Sequence, residues 1–214
     1  MRLYPVWNIV HDDQYEGLVD ALLTSRGLTR DALKVGPEVL HAPELLLDMS
    51  VAVDRLERAV RGNEKIVVYG DYDVDGVCST VVIMDFLERV GAECGYLLPD
   101  RHKDGYGLKP PGVERAIDMG ARLIVTVDNG ISAFEALDLA ADRGIDVIVV
   151  DHHQQLAELP RALAIVNPNR RDCEYPFKSL AGVGVTFKLV QALSSAFLEG
   201  GERRRYLNDL LDLV

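Results

Sequence analysis

The sequence predicts an α/β protein with a parallel sheet of about five strands, helices on both faces of that sheet, and a helical N-terminal segment before it. Two observations predict this fold. After residue 63, short apolar runs, several of them β-branched, alternate with segments of helical length, which is typical of parallel strands joined by right-handed crossovers. Before residue 63, apolar residues recur at helical spacing. We therefore expect a helical lead-in over residues 1–62 and an α/β domain over residues 63–214.

Caps and breakers set the expected bounds of the elements. Asp12 and Asp13 are expected to cap a first helix through Leu18 that ends at Gly27, and Thr29 is expected to cap a short turn. The predicted strands cover residues 66–69, 94–98, 123–127, 147–150 and 164–166. The predicted longer helices cover residues 43–60, 77–90, 111–119, 132–143 and 185–197, with a short turn at 156–159.

The composition is that of a globular protein with one full core, because 48% of the 214 residues are hydrophobic. No apolar run approaches the roughly 18 residues that span a bilayer, and the N-terminus lacks the apolar stretch of a secretory signal. Cys78, Cys94 and Cys173 are far apart and odd in number, which favours reduced thiols over a disulfide framework or a zinc site. We expect a cytoplasmic protein with no membrane contact.

The net charge of -11 argues against simple nucleic-acid binding, because such modules usually carry a basic surface. The 34 acidic residues outnumber the 23 Lys and Arg residues. Part of this excess belongs to a candidate metal cluster, where bound cations would offset it. Any basic channel is therefore expected to be local, or to lie on a part of the protein outside this chain.

Unusual polar residues follow four consecutive predicted strands. Because ligands of parallel sheets collect at the carboxyl ends of the strands, these residues are expected to meet at one edge. They are Asp71, Asp73 and Asp75 after the first strand, Arg101 after the second, Asp128 after the third, and Asp151, His152 and His153 after the fourth. Carboxylate oxygens and imidazole nitrogens together suit manganese or magnesium better than a thiolate zinc site does. The pattern predicts a site for two divalent metal ions.

The three aspartates after the first strand have two other interpretations. They imitate the start of a calcium-binding loop, but that loop needs a Glu at its twelfth position, which here is Val82. They also resemble a capped helix start, since Asp75 precedes Gly76. One carboxylate would suffice for a cap, and three at alternate positions would repel one another without cations. A metal site is the favoured interpretation.

The downstream motifs are weaker when each is taken alone. Asp128 could belong to a plain turn before a helix, and His152 and His153 could be surface histidines. Gly182 and Gly184 stand ahead of a predicted helix, where backbone amides can bind an anion. Close packing of that helix on the sheet explains these two glycines nearly as well. Position after a predicted strand is what strengthens the histidines and Asp128.

Five motifs occur in a characteristic order: residues 69–76 (YGDYDVDG), 100–107 (DRHKDGYG), 126–132 (TVDNGIS), 151–153 (DHH) and 180–185 (LAGVGV). Together they resemble the DHH phosphoesterase superfamily, and they are most similar to its RecJ branch of single-strand-specific 5′→3′ DNA exonucleases. The resemblance covers roughly residues 45–214. It implies a DHH phosphoesterase domain that starts near residue 63.

The resemblance also implies roles for individual residues. The implied metal ligands are Asp73, Asp75, Asp128 and His152, with Asp128 as the bridge between both ions and a catalytic residue, and Asp71 as a further ligand. In much of the superfamily a His stands at the position of Tyr69, and Asp71 is expected to substitute for it. His153 is implied to contact the scissile phosphate. Arg101, Tyr106, Gly182 and Gly184 are implied to bind substrate.

The expected function is therefore metal-dependent 5′→3′ hydrolysis of single-stranded DNA in repair and recombination, with two Mn²⁺ or Mg²⁺ ions as cofactors. The expected partners are single-stranded DNA and a single-strand-binding protein or helicase. Two alternatives stay open: a DHH phosphoesterase of oligonucleotides, cyclic dinucleotides or pyrophosphate, and a non-catalytic binding module. Since the chain ends at Val214, before a segment that supplies a last ligating Asp in RecJ proteins, we expect an incomplete catalytic domain whose processive nuclease activity is weak or absent.

Overall fold

The structure, a computed structural model, describes residues 17–33, 40–101 and 105–214. The chain forms two compact units, Met1–Leu40 and His41–Val214. The first unit contains helix α1 (Leu18–Ser25) and a 3₁₀ turn (Arg30–Leu33). Helix α1 ends before Gly27, as predicted, because that glycine adopts a left-handed φ of 67°. The predicted caps Asp12 and Asp13 lie outside the described residues.

The second unit contains a five-stranded sheet in which every strand pairs in parallel. The strand order is β2-β1-β3-β4-β5. The strands are β1 (Ile66–Tyr69), β2 (Cys94–Leu97), β3 (Leu123–Val127), β4 (Asp146–Val150) and β5 (Ala164–Val166). The predicted fold class is confirmed, and the strand bounds agree with the predicted ones to within one residue.

Six helices lie in the described part of the second unit: α2 (Met49–Arg61), α3 (Val74–Arg89), α4 (Pro110–Asp118), α5 (Phe134–Asp142), α6 (Gly182–Leu193) and α7 (Gly200–Leu210). Short 3₁₀ segments cover Pro43–Leu45, Ser194–Ala196 and Leu211–Leu213. Four helix starts differ from the predicted ones by two or more residues, and two of these are α3, which begins at Val74 instead of Val77, and α5, which begins at Phe134 instead of Ser132. Helix α2 begins at Met49 because Asp48 breaks the chain direction with a φ of 59°. Helix α6 begins at Gly182 and so includes the glycines expected to precede it. Residues 156–159 form bends, not a helical turn.

Helices cover both faces of the sheet. Alternate residues of each strand point to opposite faces, so that Val68 packs with α2, α3 and α6 while Val67 packs with α4 and α5. The four residues of β1 are buried on both sides, which explains why this strand reads as a continuous apolar run. The charged ends of the central strands are left to converge at the carboxyl edge.

Helix α2 belongs to the same compact unit as the sheet, because Met49, Ala52 and Leu56 are buried in the core on the α3 and α6 face. Asp48, just before α2, ties this helix to β5: its Oδ2 accepts bonds from the Ile165 amide at 3.1 Å and from the Arg170 guanidinium at 2.6 Å. The boundary expected at residue 62 stays a prediction. None of the helices in the described ranges is long and apolar enough to cross a membrane.

Candidate metal centre

The three aspartates after β1 occupy three different environments. Asp71 is fully buried, and neither of its carboxylate oxygens has a hydrogen-bond partner. Asp73 is exposed and caps helix α3, since its Oδ1 accepts a bond from the Gly76 amide at 2.9 Å. Asp75, in the first turn of α3, points away to helix α6. The cap interpretation therefore accounts for Asp73 alone.

Asp71 is held in place by close packing. A Cβ on Gly76 would lie 2.6 Å from the Asp71 Cβ, so only glycine allows the first turn of α3 to approach this closely. Burial raises the pKa of Asp71 above its usual value and the charges of Asp73 and Asp151 raise it further, although the nearby backbone amide of Tyr72 opposes them. A buried carboxylate without a partner is costly, and a cation is the group that would make this arrangement favourable.

Asp75 uses both carboxylate oxygens on the N-terminus of α6. Its Oδ2 accepts a bond from the Gly182 amide at 2.7 Å, and its Oδ1 accepts one from the Val183 amide at 2.6 Å. Because α6 has no side-chain cap of its own, Asp75 satisfies two of its free amides and complements its dipole. The anion at the glycine turn is therefore a side chain of the protein itself.

Asp128 follows β3 in a left-handed conformation, with a φ of 62° and 2% exposure. A Cβ on Gly182 would lie 2.3 Å from its Oδ1, so this glycine allows α6 to approach Asp128 closely. Burial raises the pKa of Asp128, and so do the charges of Asp75 and Asp73, although the hydrogen bond with His152 opposes them. Asp128 thus lies at the crowded centre of the acidic cluster.

His152 is oriented by its two ring nitrogens. Its Nδ1 lies 3.0 Å from the Leu180 carbonyl oxygen, which can only accept, so Nδ1 carries a proton. Its Nε2 lies 3.2 Å from Asp128 Oδ1 and 3.7 Å from Asp75 Oδ2. The contact with Asp128 raises the pKa of His152. A carbonyl that fixes one nitrogen while the other faces carboxylates is the arrangement of a metal-ligating imidazole.

His153 is oriented by Asp151, which the sequence placed in the acidic cluster without a role of its own. The His153 Nδ1 lies 2.7 Å from Asp151 Oδ1, and this hydrogen bond raises the pKa of His153. Asp151 is 1% exposed, and its Oδ2 also accepts from the Ile131 amide at 2.9 Å. Burial raises the pKa of Asp151, but the bonds from His153 and Ile131 outweigh it and the pKa is lowered overall. Asp151 is therefore a charged anchor, fixed beneath the imidazole.

Tyr106 completes this side of the cluster. Its hydroxyl donates to the Asp128 carbonyl oxygen at 3.2 Å and lies 3.0 Å from His153 Nε2. The two rings meet edge to face, with centroids 5.6 Å apart. Burial and the nearby charges of Asp151 and Asp128 raise the pKa of Tyr106, which keeps its hydroxyl protonated. The sequence suggested a substrate contact for Tyr106 but could not pair it with His153.

The ligand atoms form two overlapping groups. One oxygen from each of Asp71, Asp73 and Asp128 lies within 4.8 Å of the others, and so do atoms of Asp128, His152 and His153. Asp128 belongs to both groups, as the predicted bridging role requires. Hard carboxylate oxygens, one imidazole and the unpartnered oxygens of Asp71 fit divalent ions of the manganese or magnesium type.

The other predicted substrate residues are less directly placed. The Arg101 guanidinium is exposed and lies 5.4 Å from the ring centroid of Tyr72. Gly182 contacts Asp128, and a Cβ on Gly184 would lie 3.2 Å from Leu180 Cδ2. Both glycines are thus in close packing at the metal centre, which agrees with the second interpretation of this motif. Their roles in substrate binding stay predictions.

The family assignment follows from the sequence match. The family described as "DHH family, N-terminal domain" matches residues 65–214, which include every candidate ligand. The chain belongs to the DHH family. The structure of this DHH-family chain resembles a crystal structure of exonuclease RecJ bound to manganese, with a TM-score of 0.68 and 31% identity over 78% of this chain and 43% of that one. It also resembles RecJ of Thermus thermophilus in complex with Mn²⁺, with a TM-score of 0.65 and 30% identity over 82% of this chain and 25% of that one.

Several curated relatives of the chain are named RecJ, as are these two crystal structures. The DHH-family chain is 47% identical to the single-stranded-DNA-specific exonuclease RecJ of Dickeya dadantii over all of its length and 38% of that protein. It is 43% identical to RecJ of Bacillus subtilis over 82% of this chain and 23% of that protein. RecJ of Escherichia coli is 47% identical over 92% of this chain and 36% of that protein. The chain thus spans less than half the length of these relatives.

Proposed function

We propose that this chain is the metal-binding catalytic part of a RecJ-like exonuclease that hydrolyses single-stranded DNA in the 5′→3′ direction. The observation that carries the proposal is the shared carboxylate of Asp128, which has an oxygen within 4.8 Å of oxygens of Asp71 and Asp73 and also has an oxygen within 4.8 Å of ring nitrogens of His152 and His153. The similarity to single-stranded-DNA-specific exonucleases supports the choice of substrate.

Asp71, Asp73, Asp75, Asp128 and His152 would hold two Mn²⁺ or Mg²⁺ ions. Such ions lower the pKa of a bound water, neutralise the phosphate and stabilise the leaving oxygen of an in-line displacement. The chain itself would position the ions, because its carboxylates are fixed at strand ends and at the N-termini of helices α3 and α6. Asp71 is positioned by burial and by its close packing against Gly76.

His153 and Tyr106 would contact the phosphodiester beside the ions. His153 Nδ1 is bound to Asp151, so Nε2 is the nitrogen that faces outward, next to the Tyr106 hydroxyl. Because the anchoring carboxylate favours the charged imidazole, Nε2 can donate a hydrogen bond to a phosphate oxygen. Arg101 and the turn at Gly182 and Gly184 would lie along the path of the nucleotide strand.

The test is Mn²⁺-dependent digestion of 5′-phosphorylated single-stranded DNA, with a cyclic dinucleotide and pyrophosphate in parallel assays. It uses this chain and a form of the protein extended past Val214. Oligonucleotides labelled at either end report the direction of digestion. We expect hydrolysis of DNA from the 5′ end, with stronger activity in the extended form.

Asp128→Ala should abolish hydrolysis, and Asp138→Ala is the matched control because Asp138 is an exposed acid on α5. Hydrolysis of the cyclic dinucleotide or pyrophosphate alone would replace the proposed substrate with a small one. If the extended form hydrolyses none of the three, or if Asp128→Ala stays active, the metal mechanism is wrong.

We also propose a cytoplasmic role in DNA repair and recombination, with a single-strand-binding protein or a helicase as partner. Support comes from the names of the relatives, which specify single-stranded DNA, and from the lack of a membrane-spanning helix in the described ranges. Sensitivity of a deletion strain to DNA damage, restored by the wild-type gene but not by one carrying Asp128→Ala, would support this role. If the deletion strain tolerated DNA damage as well as the wild-type strain does, this role would be contradicted.

A further inference from the structure

A cavity of about 340 Å³ opens beside the metal centre, between the segment before α4 and the start of α5. Its lining includes Tyr106, Lys109, Gly130, Ser132, Phe134 and Glu135. The volume is at the lower end of the roughly 300–1,000 Å³ of small-molecule sites, which suits one planar ring system. Nothing in the proposed metal chemistry uses this space.

Two aromatic side chains line the cavity. Tyr106 is 44% exposed, and Phe134 is partly buried at the first position of helix α5. Tyr106 connects the cavity to the metal centre, because its hydroxyl contacts His153 and the Asp128 carbonyl while its ring borders the cavity. A ligand in the cavity would therefore contact the Tyr106 ring and lie next to His153, where the scissile phosphate is expected.

Gly130 keeps the wall between the cavity and β3 thin. It adopts a φ of 113°, and a Cβ there would lie 2.5 Å from Thr126 Oγ1, so no larger residue fits without a shift. The polar groups around the opening include the Ser132 hydroxyl, which can donate or accept, and the Glu135 carboxylate, which can accept. Such a rim can satisfy the edges of different bases and does not select one of them.

We propose that this cavity binds the nucleobase of a nucleotide next to the scissile phosphate, stacked against Phe134 and Tyr106. The proposal rests on the proposed function and adds a base-binding subsite to it. Base–aromatic stacking is tolerant of sequence, because every base has a π-face, and each stack contributes about 1–3 kcal/mol by alanine substitution. An acidic chain gains from such a contact, since it holds the strand without added positive charge.

The first test measures kcat/KM on oligonucleotides that carry a single abasic residue at successive positions from the 5′ end. In the wild-type protein extended past Val214, removing the base at one position should lower kcat/KM by about 5- to 150-fold, as expected for the loss of one stack. Phe134→Ala should lower activity on intact DNA by a similar factor and cause no further loss with that abasic substrate. Phe134→Leu, which keeps an apolar side chain to pack α5, should behave in the same way.

Tyr96→Ala is the matched control, because Tyr96 is a 57%-exposed aromatic residue on edge strand β2 and does not line the cavity. It should leave the abasic profile unchanged. If Phe134→Ala and Phe134→Leu lower activity equally on every substrate and keep the wild-type abasic profile, the subsite is refuted. A wild-type profile without a sensitive position refutes it too.

A second test does not require hydrolysis. Single-stranded DNA with 5-iodouracil at successive positions is crosslinked to the protein, and the adducts are mapped by mass spectrometry. An adduct on Phe134 or Tyr106 from one position supports the subsite, and adducts confined to other residues overturn it. If this adduct forms while the protein hydrolyses no DNA, the subsite stands and the proposed exonuclease function fails.

Discussion

Replacing Asp71 by Asn should stabilise the metal-free protein while it weakens metal binding. The Asp71 carboxylate is fully buried, its two oxygens have no hydrogen-bond partner, and the charges of Asp73 and Asp151 repel it. Asn has nearly the same size, so it keeps the close packing against Gly76. It removes the charge, however, and with it one proposed ligand of the ions.

The size of the effect follows from the burial of this group. An unpartnered buried polar group costs about 1–3 kcal/mol, and a charged one costs more than a neutral amide. We therefore expect the unfolding free energy of Asp71→Asn at pH 7 without metal to rise by about 1–3 kcal/mol. For a chain of this size, that corresponds to an increase in Tm of about 2 to 12 °C.

The pH dependence has a definite sign. The pKa of Asp71 is raised in the folded state above its ordinary 3.8, so the folded state binds more protons than the unfolded state between the two values. The unfolding free energy of the wild type therefore falls as pH rises through this window. In Asp71→Asn this pH-dependent fall in the unfolding free energy is absent, because the amide does not titrate. The stability difference between variant and wild type should grow as pH rises above 3.8 and then level off.

The assay is thermal unfolding by circular dichroism, in EDTA and in Mn²⁺, over a series of pH values. A ligand at 100 times its Kd stabilises a protein by about 2.7 kcal/mol, so Mn²⁺ should raise the wild-type Tm clearly and the variant Tm much less. Asp138→Asn, an exposed control on α5, should match the wild type in both conditions. If Asp71→Asn is no more stable than the wild type in EDTA, or gains equally from Mn²⁺, the assignment of Asp71 as a destabilising ligand is refuted.

Two further substitutions test the packing, one at the metal centre and one at the contact between Asp48 and Arg170. Gly182→Ala should lower the unfolding free energy by about 1–3 kcal/mol and reduce the Mn²⁺-dependent rise in Tm, because the new Cβ would lie 2.3 Å from Asp128 Oδ1; Gly184→Ala, whose nearest neighbour would be a flexible side-chain atom at 3.2 Å, is the milder control. Arg170→Ala should lower the unfolding free energy by about 1–3 kcal/mol in urea denaturation, because it removes a buried guanidinium bound to Asp48 at 2.6 Å while the Asp48 carboxylate stays partly solvated, and an unchanged midpoint would contradict this.

The sheet could be predicted from the sequence because its strands are buried on both faces. Burial on both sides requires an unbroken apolar run, and charged or glycine residues bound the runs of β1 and β3, so the limits of these strands matched the prediction. The limits of β5 matched as well, although Leu163 and Asn167 flank it. The edge strand β2 was predicted one residue too long. At the edge of the sheet Tyr96 is exposed, so burial constrains the composition of this strand less.

Helix starts were harder to predict when their caps are distant in sequence. Helix α6 begins at Gly182 because the Asp75 carboxylate, more than one hundred residues earlier, binds its first amides. No local signal at Gly182 indicates such a cap. The cap of α3 is close in sequence, since Asp73 binds an amide three residues later, but the prediction took Asp75 as the cap and therefore started this helix three residues late.

The candidate ligands were visible in the sequence, and Asp151 and Tyr106 were singled out with them, but the contacts by which other groups orient the ligands were not predicted. Acidic residues and histidines that directly follow a buried strand can be recognised in the sequence by residue type, since such residues are otherwise rarely buried. The orienting partners are a backbone carbonyl at Leu180, the buried Asp151 and the hydroxyl of Tyr106. A carbonyl carries no signature in the sequence, and which side chain faces an imidazole depends on how loops pack in three dimensions.

Asp75 links the geometry of the metal centre to the packing of the helices. Its carboxylate bridges the first turn of α3 to the first amides of α6, and these two helices cover the same face of the sheet. The same carboxylate lies 3.7 Å from the His152 imidazole, in the group proposed to hold the ions. A cation bound there would draw on the same oxygens that satisfy the helix, and charge-assisted bonds on both sides would restrict the carboxylate to one position. The packing of α3 against α6 therefore sets the geometry of the centre, so a substitution that shifts either helix should change metal affinity even when every ligand is intact.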